Sequence, residues 1–390
     1  MLPYLQGCAA RGHAISILSC EKPDLFAKHR ATVQKLCDQS GIDWQPLSYH
    51  KHPLVLSAVY DAYAMSRAAL RLHRDRSFDI VHCRSYMPGS AALRLKRRRG
   101  VRLIFDMRGF WPEERTEGRS WRLENPVFKL VYGYFKRLEA RLLNEADHIV
   151  TLTHAAKQIV EERPEFKGRR PRISVIPCSV DFDHFPLAAK LREKARAELG
   201  IQSASLVLLY LGSLGGNYML DEMLDFFRAM LVEKADCRFL FVTMNNGDAI
   251  RSTARDRGID PDRLVIVSAT REEVPMRMAA ADWGIAFKQP SYSAAGCSPT
   301  KLGEMLTMGI PVVANAGVGD VEAMLNDMAT GVAIHQFSEE SYSAAIEDLK
   351  AVTISPKEIR SRARAVLDLG QASERYSEIY RALRVPREAR

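Results

Sequence analysis

A lysine in the first turn of a helix works against that helix, and the run Ser298-Pro299-Thr300-Lys301-Leu302-Gly303-Glu304 contains one. Ser298 reads as an N-cap, Pro299 fits the first helical position, and Gly309 stops the helix ahead of the apolar run 310–314. Lys301 then falls at the third helical position, where a capping box would place Glu. The conflict disappears if an anion docks there. Free backbone N–H groups, the dipole and the ammonium would then converge on one phosphate. Glu304, three residues on and on the same face, suits a carboxylate accepting hydrogen bonds from a ribose diol beside that phosphate. Gly303 inside the helix costs about 1 kcal/mol relative to Ala, which close approach by a ligand or by backbone would explain. The plainer reading is a surface Lys–Glu pair worth a few tenths of a kcal/mol.

Two other segments carry polar chemistry after a strand-like run. Residues 206–211 lead into Gly212-Ser213-Leu214-Gly215-Gly216-Asn217, a turn that lets backbone N–H groups reach an anion without a Cβ in the way. It matches neither G-x-G-x-x-G nor the P-loop. Opposite the Lys301 helix it would form the other side of a diphosphate site. In the first half, Asp106-Met107-Arg108-Gly109-Phe110-Trp111-Pro112-Glu113-Glu114 follows a strand, and Arg84 ends the strand before it. Ligands gather at such strand ends in open α/β sheets, so these groups suit recognition of a polar substrate. An ion-pair network holding a loop explains them equally well.

The elements that must position these residues alternate between strand-like and helical runs, which implies parallel sheets flanked by helices. Strands read at 14–19, 79–83, 101–106, 148–153 and 173–177, then at 206–211, 239–243, 264–268, 284–287 and 311–315. Two Rossmann-like layers follow, and the turn-rich stretch 177–186 separates them. The first domain is therefore expected over 1–180 and the second over 181–370. Residues 1–11 read as a helix with Gly12 as its stop, so the first domain opens inside a βαβ unit without its first strand. The expectation is a native start upstream of Met1. A fold variant lacking that strand is the alternative.

Composition narrows the class. With 390 residues, 47% apolar and 26% charged, the chain reads as a folded two-domain protein, not a fibre or a disordered tail. Its apolar runs are strand-sized and far short of the ~18 residues that cross a bilayer. Seven scattered cysteines without a C-x-x-C pair, and no His cluster at ligand spacing, point to a reducing cytoplasm and no structural metal. The net charge of +9 is uneven: residues 1–180 hold 31 basic against 18 acidic groups, while the remainder is slightly acidic. Such a basic half wants an anionic partner, and the run Arg94, Lys96, Arg97, Arg98 and Arg99 is its densest part. A helix C-terminus accounts for this run as well as attraction to an anionic membrane face does. No nucleic-acid reading motif accompanies it.

With these segments read, the chain resembles the retaining GT-B glycosyltransferases of family-4 type over nearly its whole length. The likeness is carried by the Arg11-Gly12-His13 approach to a strand, the Asp106-x-Arg108-Gly-Phe-Trp-Pro-Glu loop, the Val-Ile-Pro-x-Ser-Val-Asp181 linker, the Gly212-Ser213 turn and Ser-Pro-Thr-Lys-x-x-Glu304. The resemblance implies two Rossmann-like domains with a cleft between them and a final helix within 371–390 that crosses back to the first. It implies a nucleotide-diphosphate sugar held by Gly212, Ser213, Ser298, Thr300, Lys301 and Glu304, with the base near Ser268 to Glu273. Arg84, Asp106, Arg108, Trp111 and Glu114 would face a glycan or lipid-linked acceptor, and Arg108, Lys301 and Glu304 would serve catalysis. No cofactor and no metal would be needed. The setting would be surface polysaccharide or glycolipid synthesis in the cytoplasm, peripheral on an anionic membrane.

Three departures bear on this. Gly296 stands where an E-x7-E pattern needs Glu, Arg108 takes the place of a loop His, and Asn217 and Tyr218 replace an Arg/Lys pair after the glycine turn. Lys301 is left as the main phosphate cation. A GT-B epimerase acting on the donor alone is one rival, and the missing carboxylate speaks against it. A nucleotide-binding scaffold without catalysis is the other, and the same departures keep it open.

Overall fold

The computed structural model describes residues 1–166, 171–215 and 217–384, so Gly216 of the glycine turn lies outside the described residues. The chain divides into two compact units, residues 1–176 with 369–390 and residues 177–368. In the first, the order is α1 (Leu2–Ala9), β1 (Ser16–Glu21), α2 (Pro23–Gln39), β2 (Asp43–Ser48), α3 (Leu54–Arg76), β3 (Ile80–Arg84), α4 (Gly89–Arg99), β4 (Arg102–Asp106), α5 (Trp111–Glu117), α6 (Pro126–Glu145), β5 (His148–Thr151), α7 (His154–Glu161) and β6 (Ile173–Val175). The second runs α8 (Arg192–Leu199), β7 (Leu206–Leu211), α9 (Leu220–Glu233), β8 (Cys237–Val242), α10 (Gly247–Asp256), β9 (Leu264–Val267), α11 (Val274–Met278), β10 (Trp283–Ala286), α12 (Thr300–Thr307), β11 (Val312–Asn315), α13 (Val321–Met328), β12 (Gly331–Ile334), α14 (Glu339–Lys350) and α15 (Pro356–Leu367). The last helix, α16 (Leu369–Leu383), belongs to the first unit.

The second unit is a doubly wound, all-parallel sheet in the order β12-β11-β10-β7-β8-β9. Strand β7 shows why its sequence is apolar throughout. Val207, Leu209 and Leu211 enter one core, Leu208 and Tyr210 the other, because successive side chains point to opposite faces and helices cover both. The strand order reverses between β7 and β10, which opens a crevice at their C-terminal ends.

In the first unit the parallel strands form two sheets, β1-β2 and β3-β4-β5-β6. Strand β1 is half-exposed along its length, unlike a central strand covered on both faces. Cys8 of α1, Ile104 of β4, Val150 of β5 and Tyr376 and Tyr380 of α16 share one core.

Two strands escaped the sequence reading. Strand β2 contains Pro46 and several polar residues and is tolerated because it lies at a sheet edge. Strand β12 is also an edge strand and is only four residues long.

Candidate functional site

The crevice of the second unit is built around Lys301. Strand β7 ends at Leu211, and Gly212 follows with φ +100°, a conformation that side chains rarely adopt. A Cβ at Gly212 would lie 3.4 Å from Lys301 Nζ, so the lysine rests directly on the glycine turn. Its ammonium donates to Tyr210 Oη at 2.8 Å and lies 3.5 Å from the Tyr218 ring centroid. Tyr210 Oη in turn donates to the Ser213 carbonyl at 2.7 Å. Burial brings the Lys301 pKa down to about 7. Lys288 adds repulsion, whereas Cys297 and Glu304 act in the opposite sense. A cation held by aromatic faces and a neutral hydroxyl is poorly compensated, which is the electrostatic condition for attracting an anion.

The helix carrying Lys301 begins one residue later than the sequence suggests. It spans Thr300–Thr307 with Pro299 at the N-cap, so Lys301 is at the second helical position. Ser298 does not cap it, because its Oγ accepts a hydrogen bond from the Cys178 backbone N–H at 3.1 Å. Gly303 is explained by packing, not by a ligand: a Cβ there would meet Val180 at 3.0 Å and Leu367 at 3.2 Å. Thr300 is exposed in the first turn beside Lys301.

Glu304 is largely buried, and burial raises its pKa against the pull of Arg271, His184 and Lys301. Arg271 Nη1 lies 3.8 Å from its carboxylate. Arg271 belongs to the stretch 268–273, and Ser268 is an exposed residue directly after β9. Ser213 is likewise exposed beside Gly212. The structure therefore gathers Gly212, Ser213 and Lys301 around one turn and sets Glu304 one helical turn away, facing Arg271.

In the first unit, Arg84 and Asp106 are register partners at the ends of β3 and β4. Asp106 is fully buried, which alters its expected place at an acceptor surface. Its Oδ2 accepts from Tyr376 Oη at 3.1 Å and lies 3.5 Å from His82 Nε2. Burial would raise its pKa, but His82, Arg108 and Arg84 outweigh that and hold it below the usual value. The carboxylate thus ties α16 to the strand ends without reaching solvent itself. Arg108 has φ +58° and Gly109 φ +113°, so the loop turns sharply at the arginine. Trp111 packs on Trp121 at 5.1 Å and Phe135 at 4.9 Å between ring centroids, with the Arg115 guanidinium 5.3 Å over its ring. Glu114 is exposed.

The sequence reading missed Tyr210, Tyr218 and Lys288. Tyr210 looked like one more core residue of β7, and Tyr218 like the loss of a cation. Lys288 lies two residues past the end of strand β10 at the crevice, a position that signals function in a parallel sheet. The reading also passed over Glu139, which is fully buried and accepts from Tyr86 Oη at 2.5 Å and Lys136 Nζ at 2.5 Å. Tyr86 Oη lies 3.2 Å from the Gly109 carbonyl, so this network underlies the Arg108 loop.

Two family profiles match the chain, glycosyltransferase family 4 over residues 4–184 and glycosyl transferases group 1 over residues 192–366. None of the curated proteins matches. Among solved structures, a glycosyltransferase from Rickettsia africae is 15% identical with TM-score 0.67, covering 98% of this chain and 94% of that one. WaaG, a glycosyltransferase involved in lipopolysaccharide biosynthesis, is 17% identical with TM-score 0.64, covering 97% and 94%. HepE of Anabaena, in complex with UDP and glucose, is 14% identical with TM-score 0.65, covering 95% and 100%. At these identities the structural likeness speaks for the fold.

Proposed function

The chain belongs to the family-4-type GT-B glycosyltransferases, and from that premise we propose that it moves a sugar from a nucleotide-diphosphate donor to a glycan or lipid-linked acceptor, retaining the anomeric configuration and using no metal. One observation carries the reading: Lys301 stands at a helix N-terminus against the Gly212 turn, its ammonium met only by tyrosines among its described hydrogen-bond and ring contacts. A diphosphate placed there would receive the backbone N–H groups, the dipole and the ammonium together. UDP-type ligands bound to HepE make such a donor the natural one to test.

In this reading Lys301 and the helix N-terminus stabilise the diphosphate as the glycosidic C–O bond breaks. The departing phosphate oxygen takes the proton of the acceptor hydroxyl, whose oxygen bonds to the anomeric carbon on the same face, so no protein base is required. Glu304 accepts hydrogen bonds from the donor ribose once Arg271 yields its place. The Glu304→Ala variant is expected to reduce transfer at least about tenfold, consistent with losing a charge-assisted contact. Steady-state rates equal to wild type would show that the ribose sits elsewhere.

The state of Lys301 gives a pH test. With a pKa near 7 in the free protein, the amine loses its charge above that pH, while a bound diphosphate favours the ammonium and takes up a proton. Affinity for a nucleoside diphosphate is expected to fall by up to about tenfold per pH unit above pH 7. Calorimetric titrations should show this slope in the wild type and not in Lys301→Met. Equal slopes in both proteins would assign the proton to another group.

A further inference from the structure

Lys288 brings a second cation to the crevice of the second unit, and its backbone is fixed from both sides. The segment after the glycine turn runs antiparallel to it with Tyr218 opposite Lys288; the Gln289 N–H donates to the Asn217 carbonyl at 2.7 Å and the Met219 N–H to the Phe287 carbonyl at 3.1 Å. In such a pair the N–H and C=O of Lys288 itself point the other way. There the side chain of Asn315, at the end of β11, satisfies both. Its Oδ1 accepts from the Lys288 N–H at 2.8 Å, and its Nδ2 donates to the Lys288 carbonyl at 2.9 Å. Asn315 is itself buried, so water does not compete for the clamp. The lysine is thereby pinned beside the point where the strand order reverses.

Lys288 is only 8% exposed, and its ammonium forms no salt bridge and no hydrogen bond among the described residues. It lies 5.9 Å from the Tyr218 ring centroid, and Lys301 Nζ lies 3.5 Å from the same centroid. Two ammonium groups therefore flank one tyrosine, and no described carboxylate pairs with either. A long side chain can bury its stem and keep its head in water, but that does not explain a head set beside a like charge. A group carrying several negative charges would offset both the burial and the repulsion. Beyond burial, the charges acting on Lys301 include Glu304 and Lys288, whereas those acting on Glu304 are Arg271, His184 and Lys301. Lys301 thus stands between the other two. A ribose on Glu304 would bring its first phosphate to Lys301 and its second toward Lys288.

We propose that Lys288 holds the distal phosphate of the donor, the one bonded to the sugar, while Lys301 holds the phosphate bonded to the ribose. The inference rests on the nucleotide-diphosphate donor proposed above. It makes Lys288 the residue by which the crevice tells a nucleoside diphosphate from a monophosphate, because a monophosphate reaches only the Lys301 position. It also sets an ammonium against the phosphate that departs when the sugar is transferred, where negative charge develops.

Calorimetric titration of the full chain with UDP and UMP tests this, with the GDP–GMP and ADP–AMP pairs run alongside so that no base is presupposed. The wild type is expected to bind one diphosphate at least about tenfold more tightly than its monophosphate, the margin of one charge-assisted contact. Lys288→Met and Lys288→Gln retain most of the stem without its charge. Each is expected to weaken that diphosphate at least about tenfold while the monophosphate changes by less than about twofold. The monophosphate thus reports an intact crevice in each variant. An unchanged ratio of diphosphate to monophosphate affinity in the variants would overturn the assignment of Lys288 and leave the transfer reading standing. A wild type with no preference for the diphosphate would do the same. So would equal loss of both nucleotides, which would make Lys288 a support for the fold. A wild type that binds none of these nucleotides would remove the transfer reading, and this inference with it.

Discussion

Lys301→Ala is expected to lower kcat/KM for sugar transfer at least about tenfold, and by more if the ammonium acts chiefly on the leaving group. The lysine is the group on which the glycine turn, the helix N-terminus and the two tyrosines converge. Removing it takes away a charge that the diphosphate would otherwise meet in a partly desolvated crevice, where a charged hydrogen bond is worth about 1.5–3 kcal/mol. Because the lysine is poorly compensated in the free protein, its loss should not cost stability. Thermal unfolding of the variant is expected at or above the wild-type temperature. An inactive variant that also unfolds early would mean that Lys301 is structural. A stable variant with wild-type kcat/KM would mean that the diphosphate binds elsewhere.

Glu139→Ala is expected to have the largest effect on stability. Its carboxylate is fully buried and binds Lys136 at 2.5 Å, Arg163 at 2.7 Å and Tyr86 at 2.5 Å. Lys136 also reaches Glu113 at 2.6 Å, next to Pro112 and Trp111 of the Arg108 loop. Deleting one partner of a buried ion pair leaves uncompensated charge and costs about 3–5 kcal/mol. Chemical denaturation followed by the tryptophans of the first unit, Trp111 and Trp121 among them, should show its transition shifted to lower denaturant, with the second unit little changed. A shift of under about 1 kcal/mol would show that the cations find water or other carboxylates.

How much of this was legible beforehand follows from where each residue sits. The Lys301 segment was readable because a cation in a first turn conflicts with local helix chemistry, and such conflicts mark function more often than chance does. The start of that helix was misread by one residue. Ser298 has the chemistry of a cap, but a backbone N–H 120 residues away in sequence takes its oxygen. No local pattern records that contact. Gly303 fails in the same way: the atoms that exclude a side chain belong to Val180 and Leu367, which approach only in the folded unit.

Asp106 shows the opposite difficulty. Its place at a strand end was readable, whereas its direction depends on α16 returning with Tyr376 from the far end of the chain. Tyr218 looked like an absent cation, yet its ring is what lies under Lys301, at 3.5 Å.

The most direct test is a crystal structure of the protein grown with a nucleoside diphosphate. The account expects a phosphate oxygen about 2.7–2.9 Å from Lys301 Nζ, near the first N–H groups of the helix that begins at Thr300. It also expects the ribose hydroxyls to be on Glu304. A nucleotide ordered elsewhere, with Lys301 still bonded only to Tyr210, would contradict it.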